Sequence, residues 1–359
     1  DYSLGNPSVP VPREFTDRMI HMLATKEPLE LHGYSPSLGI TSVREAIAEN
    51  LEKKFGLPYR KEHIFMASGA AGALAHAFRL VTEPGDEILT FAPFFPEYHP
   101  YVDLTGAVLK VVPPNLENFQ INFEAFEEML TEKVKAVLIN TPNNPSGVVY
   151  STPTLQRLAD ILREKSKEYG HIIYLISDEP YREIVFEGVD SPCVSYFYDN
   201  TIMCYSFSKS LSLPGERIGY VCVPSCVEGQ ADVLHAVAGA ARSSGHVCPP
   251  TLVQLALQRC ADARPDLAAY DANRRLLYRE LTQMGYECIP PQGAFYLFVR
   301  VPDGDDVAFS QRAKLEHDLL VVPSTAFHCP GFLRLSYCVS HDMILRSLSA
   351  FRAIREKYQ

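Results

Sequence analysis

The 359-residue chain has no tryptophan, and its nine cysteines are scattered, with no CxxC pair and no zinc-ligand spacing. That pattern argues against a disulfide framework and for reduced thiols in a cytoplasmic protein. Positive charge is scarce: 33 Lys and Arg stand against 43 Asp and Glu, a net charge of -10. A nucleic-acid surface needs clustered Lys and Arg to neutralise phosphates, so nucleic acid is not the expected partner. A small anionic substrate stays open, because one buried arginine can bind it whatever the surface charge. No window approaches the roughly 18 consecutive apolar residues of a membrane span, and the first residues, DYSLGNPSVPVP, have neither a basic start nor an apolar signal core. No membrane association is expected. Tyr2-Ser-Leu-Gly5-Asn-Pro7 reads like the inside of a folded segment, so further residues upstream are expected.

Hydrophobic residues at 47% and charged residues at 21% are those of an ordinary globular protein, and the length suits a large domain plus a smaller one. Short apolar runs alternate with helical patterns: Ile64–Ala67, Glu87–Ala92, Val134–Asn140, Ile172–Ser177, Thr201–Tyr205 and Ile218–Val223. Helices are expected over Gly69–Phe78 and Pro153–Tyr169. Continuous apolar runs fit strands buried on both faces, hence an α/β domain with a mostly parallel sheet. From Thr251 the pattern changes to a long helix through Arg279, two strand-like runs, Gly293–Val299 and Leu333–Val339, and a closing helix. A large domain over residues 40–250 and a smaller α+β domain from residues 1–39 and 251–359 are expected.

An open α/β sheet carries its site at the carboxyl ends of its strands. After the first run, Ser68-Gly-Ala-Ala-Gly72 opens a helix, whose free amides and dipole bind phosphate; close packing of small residues explains the same string. After the third comes Asn140-Thr-Pro-Asn-Asn144-Pro145-Ser-Gly147, a turn that accounts for its Pro and Gly but less well for its repeated Asn. After the fourth comes Ser177-Asp178-Glu-Pro-Tyr181. A carboxylate at a buried strand end needs a cation or donors, unless Asp178 is simply a helix N-cap. After the fifth comes Ser206-Phe-Ser208-Lys209, with Arg217 eight residues on. A lysine at that depth loses charge and becomes a nucleophilic amine, whereas most lysines are solvated. Together these strand ends offer a phosphate cup, an amine, an isolated carboxylate, a tyrosine and an asparagine. That is the inventory for pyridoxal 5′-phosphate (PLP), in which a Lys bonds the aldehyde and an Asp keeps the pyridine nitrogen protonated.

Nine motifs in register extend the pattern along nearly the whole chain: Leu4-Gly5-Asn-Pro7; Tyr34 with Gly39 and Val43-Arg44; Ser68-Gly-Ala-Ala-Gly-Ala-Leu74; Pro93-Phe-Phe95-Pro-Glu-Tyr98; Asn143-Asn-Pro-Ser-Gly147; Ser177-Asp-Glu-Pro-Tyr181; Ser206-Phe-Ser-Lys209 with Arg217-Ile-Gly219; Gly293-Ala-Phe-Tyr296; and Arg334-Leu-Ser336. In these the chain resembles the fold type I PLP enzymes of the class I and II aminotransferases. The resemblance implies a large domain with a mostly parallel seven-stranded sheet sandwiched by helices. It implies that Lys209 forms the Schiff base and, once displaced by the substrate amine, moves a proton between Cα and the cofactor's C4′. Asp178 would pair with the pyridinium, and Tyr181 and Asn144 would hydrogen-bond the phenolic oxygen. The backbone at Ala70 and Ala71, the hydroxyls of Ser206 and Ser208, and Arg217 would hold the phosphate. Tyr34 would reach the phosphate of the neighbouring subunit, making a homodimer. Phe95 would stack on the ring where many relatives have Tyr or Trp, with Phe94 as packing; Ala71 lacks a hydroxyl that some relatives supply. Arg334 would clamp the substrate α-carboxylate, with the Gly5 backbone opposite. The loop Val322–Gly331 departs from the family pattern, with Ser324 and His328.

The implied activity is transfer of the amino group of an L-amino acid to a 2-oxo acid, 2-oxoglutarate being the expected acceptor and aspartate the default donor. Arg242 is a candidate reader of a side-chain carboxylate, or a solvated residue; Tyr34, Tyr98 and Phe327 would suit aromatic donors. Two other readings keep the fold. A carbon–sulfur β-lyase would eliminate a substituent without a 2-oxo acid, and the ligand-sensing domain of a regulator would catalyse nothing.

Overall fold

The computed structural model describes residues 1–358. The apolar runs form β1 (Ile64–Ala67), β2 (Glu87–Phe91), β4 (Val134–Asn140), β5 (Tyr174–Asp178), β6 (Thr201–Ser206) and β7 (Gly219–Cys222), joined by β3 (Val108–Val112) in a seven-stranded sheet of order β1-β7-β6-β5-β4-β2-β3. The pairs among β3, β2, β4, β5 and β6 are parallel, and β7 runs antiparallel to both neighbours. Alternate residues serve opposite faces, as the pleat requires. Ala67, Ile88, Leu138, Ile176 and Ile202 pack on the helices Gly69–Val81 and Gln230–Ser243. Leu89, Val137, Ile139 and Leu175 pack on Leu155, Leu158 and Leu162 of the helix Thr152–Tyr169. β3 escaped the run pattern because it lies at the sheet edge, where Lys110 interrupts its apolar residues and pairs with Glu87 at 2.8 Å.

The expected long helix from Thr251 is two helices, Thr251–Leu257 and Leu267–Gln283. Pro265 breaks the pattern, and the Asp266 carboxylate restarts it by accepting from the amides of Ala268 and Ala269. Beyond it, β8 (Glu287–Ile289), β9 (Tyr296–Arg300), β10 (Val322–Pro323) and β11 (Phe332–Ser336) make an antiparallel sheet of order β10-β11-β9-β8. Its core gathers Leu277 and Leu281 with Ile344, Phe351 and Ile354 of the helix His341–Glu356, and it takes in Tyr2. Phe15, Met22, Leu31, Val253 and Leu257 instead share a core with Met203, Tyr205 and Tyr220 of the large sheet. The helices Arg13–Thr25, Pro28–His32 and Thr251–Leu257 therefore pack with the large unit. A division at residues 39 and 251 would have assigned them to the small one.

Candidate active site

The strand register brings the polar residues to one edge. Asn140 pairs with Asp178 and Asp178 with Cys204 across the parallel strands. Because β7 runs in the opposite sense, its first residue, Gly219, pairs with both Ala67 and Ser206. The segment before β7, carrying Arg217, thus meets the segments after β1 and β6. A cavity of about 370 Å³ opens there.

One end of the cavity gathers the donors that could hold an anion. The helix Gly69–Val81 starts with no side-chain cap, leaving first-turn amides at Ala70 and Ala71. Ser206 Oγ accepts from the Ser208 amide at 3.1 Å and donates to Ser208 Oγ at 2.8 Å. Arg217, at φ 51°, is braced by donating to the carbonyls of Pro214 (3.0 Å) and Ser68 (3.4 Å). Gly69 has φ 75°, and a Cβ there would lie 2.8 Å from Arg217 Nη2, so the guanidinium can close on the cup only over a glycine.

Asp178 lies at mid-cavity and is buried. Tyr98 Oη donates to its Oδ2 at 2.5 Å, and Asn140 Nδ2 reaches its main-chain oxygen at 2.9 Å. Oδ1 is buried with no partner. Burial pushes this carboxyl up to about 7, against the Tyr98 hydrogen bond, with Glu179 adding to the rise. An orphaned buried carboxylate oxygen calls for a cationic N–H donor, which a protonated pyridine provides. Lys209, on the short helix Phe207–Ser210, donates to the Gly5 carbonyl at 2.5 Å. Burial lowers its ammonium to about 8; Cys338 opposes this, while Arg334 and Arg217 add to it. The amine is therefore available close to neutral pH. Amine, orphaned carboxylate and anion cup together fit PLP.

Also lining the cavity, Arg334 of β11 donates to Asn144 Oδ1 at 3.1 Å and to the Ser3 carbonyl at 2.6 Å, and its buried Nε has no partner. The guanidinium lies over the rings of Tyr296 (4.8 Å) and Phe327 (5.0 Å). Tyr181 Oη and Tyr296 Oη are 2.7 Å apart. Four successive carbonyls of the N-terminal segment are held by this machinery: that of Tyr2 by the Ser336 amide, Ser3 by Arg334, Leu4 by the Cys338 thiol and Gly5 by Lys209.

Gly5, Ala70, Ala71, Phe95, Asn144, Asp178, Tyr181, Ser206, Ser208, Lys209, Arg217 and Arg334 all line this one cavity. Tyr34 does not; it is 90% exposed. Tyr98 and Phe327, which the sequence offered as a wall for aromatic donors, are buried outside the lining, Tyr98 being spent on Asp178 and Phe327 on Arg334. Phe94 is buried packing, stacked on Tyr98. Arg242 is exposed and donates to Ser37. Ser324 shapes its own loop, donating to the Cys329 carbonyl and accepting from the Phe332 amide, while His328 pairs with His99. Asn140, Tyr98, Tyr101 and Tyr296 had no role assigned from sequence beyond motif membership or the aromatic wall. Asn140 alone carried a usable signal, as a polar residue closing an apolar run beside the Asp178 strand. A larger hollow, of about 640 Å³, lies beside Lys54 and Arg182, whose charges are already paired with Glu183 and Glu179.

A lysine amine, a buried carboxylate and an anion cup at the strand ends of such a sheet define a cofactor-dependent α/β enzyme of fold type I. The chain belongs to the PLP-dependent aminotransferases of class I and II, the family description "Aminotransferase class I and II" matching residues 2–351. It is 32% identical over 349 residues to an aspartate aminotransferase of Thermotoga maritima, covering 96% of this chain and 88% of that one. A probable aspartate/prephenate aminotransferase of Aquifex aeolicus is 33% identical over 341 residues, 90% of this chain and 84% of that one. The crystal structure of an aminotransferase from Eubacterium rectale superposes with a TM-score of 0.98 at 47% identity, covering 100% of this chain and 90% of that one. Among the described residues no helix is long and apolar enough to cross a membrane.

Proposed function

We propose that the chain transfers the amino group of an L-amino acid to a 2-oxo acid, with 2-oxoglutarate as acceptor, using PLP attached at Lys209. The observation that carries this reading is the unpartnered, buried Oδ1 of Asp178 in the same cavity as a lysine whose ammonium burial brings down to about 8. When bound, PLP supplies an aldehyde for amines and a ring that withdraws electrons from the substrate Cα. The Ala70 and Ala71 amides, Ser206, Ser208 and Arg217 would hold the phosphate, Asp178 the ring nitrogen, and Tyr181 and Asn144 the phenolic oxygen, with Phe95 against the ring. Arg334 orients the substrate through its α-carboxylate, for which a planar fork is suited, and the Gly5 backbone bounds the other side. Lys209 Nζ would hold the cofactor's aldehyde carbon and would serve as the base that takes the substrate Cα proton. Tyr34 would serve the partner's site in a homodimer, and nine free cysteines suit a cytoplasmic setting.

Aspartate is the first donor to test, because relatives carry that name. A neutral or aromatic donor is the second reading, favoured by the lining: besides Lys209, Arg217 and Arg334 no described residue of the cavity wall is cationic, and Leu4, Phe95, Tyr101 and Tyr296 are apolar or aromatic. A panel of donors with 2-oxoglutarate, run with and without the acceptor, decides among these. Turnover that needs no 2-oxo acid would establish elimination instead, and a Lys209→Ala protein with full activity would overturn both enzyme readings.

A further inference from the structure

Tyr296 opens β9 opposite Ser336 of β11, which makes Arg334, two residues away on the same strand, its diagonal neighbour on one face of the sheet. The pleat therefore lays the Arg334 guanidinium over the Tyr296 ring at 4.8 Å. At the far end of that ring Tyr296 Oη meets Tyr181 Oη at 2.7 Å, both side chains being buried. Gly5 lies directly above: a Cβ there would fall 2.2 Å from Tyr296 Oη, so the phenol is held between the N-terminal segment and Tyr181.

Two hydroxyls at this distance share one hydrogen bond, and its direction matters. If Tyr181 donates to Tyr296, its only proton is used. If Tyr296 donates to Tyr181, the Tyr181 proton is free for the cavity. A cation over the ring draws electron density from the phenol and makes it the better donor. Arg334, lying over the Tyr296 ring, therefore biases Tyr296 toward donating, and a carboxylate that neutralises Arg334 weakens that bias. We propose that Tyr296 is a positioning residue that transmits occupancy of the Arg334 carboxylate site to the Tyr181 hydroxyl, and through it to the proton affinity of the lysine-bound cofactor. The Arg334 to Asn144 hydrogen bond, at 3.1 Å, is a parallel route, so Tyr296 carries part of the coupling. The inference rests on the PLP reading given above.

The test is a spectrophotometric pH titration of the holoenzyme, with and without saturating propionate as an unreactive carboxylate. Neutralising a charge this close is expected to change the cofactor's proton affinity by about tenfold in the wild type. Tyr296→Phe is expected to lose at least half of that change on a logarithmic scale, while its propionate affinity stays within about threefold. A purely structural tyrosine would leave the propionate effect intact, and an undiminished effect overturns the proposal. If Tyr296→Phe cannot hold the cofactor, 3-fluorotyrosine at position 296 keeps the hydroxyl and makes it more acidic. A changed propionate response then supports the relay, and an unchanged one overturns it. A wild-type protein that never acquires the cofactor's absorbance band fails the PLP reading itself, an outcome distinct from a normal band with an unaltered response in the variant.

Discussion

On the proposed pairing of Asp178 with the cofactor ring, removing the cofactor leaves this residue a pH-dependent liability. In the cofactor-free protein burial raises its carboxyl from 3.8 to about 7, whereas the unfolded chain leaves it near its ordinary value. A carboxyl raised on folding contributes stability that is fully present below about pH 4 and lost as the pH climbs through about 7, because the unfolded state gives up the proton first. At about 1.4 kcal/mol per pH unit, the loss approaches roughly 4 kcal/mol by pH 8 as an upper limit. For a chain of this length that is a fall of about 5 °C in Tm. Asp178→Asn keeps the shape and cannot ionise, so the Tm of the cofactor-free variant should gain on that of the wild type steadily from pH 4 to pH 8. With PLP bound the order should reverse, since only the carboxylate can pair with a pyridinium. Thermal unfolding followed by circular dichroism at half-unit pH steps, on both proteins with and without cofactor, measures this. Parallel pH profiles for the two cofactor-free proteins would refute the reasoning, whatever their absolute Tm.

Gly69→Ala should weaken cofactor binding by about tenfold, because φ 75° is strained for alanine and its Cβ would displace Arg217 from the cup; titration of the cofactor-free protein with PLP reads this directly. The rate at which that protein captures PLP should rise with pH and level off above about 8, following the neutral Lys209 amine; a rate flat from pH 6 to 9 would exclude a lowered ammonium. Arg334→Lys keeps the charge but loses the fork that also holds Asn144 and the Ser3 carbonyl, so kcat/KM should fall by about 100-fold, with PLP affinity nearly unchanged.

The strand ends were legible because chemistry and pattern coincide there: Asn140, Asp178, Ser206 and Lys209 each close or follow an apolar run that must be buried, and a polar residue at that depth needs a reason. The seven-stranded sheet followed from the family resemblance, yet β3 was not located, since an edge strand with Lys110 at its centre satisfies no buried-strand pattern. The single helix expected from Thr251 ignored Pro265. Tyr98 and Tyr296 were visible as residues but not as partners, because a hydroxyl reaching Asp178 or Tyr181 joins positions 80 and 115 residues apart, which only tertiary packing determines. For the same reason aromatic residues assigned to the substrate wall proved to be spent on Asp178 and Arg334.

The grip on the carbonyls of Tyr2 to Gly5 makes the N-terminal segment a mechanical part of the machine. Lys209 and Arg334 both spend hydrogen bonds on it, and Tyr2 anchors it by its buried ring and by a bond from its hydroxyl to Ser347 at 2.6 Å. Displacing this segment, as a proteolytic cut just past Tyr2 would do, would be felt first at Lys209 and Arg334, with the distant sheet core untouched. Activity could then vanish from a protein whose bulk fold still looks intact by circular dichroism.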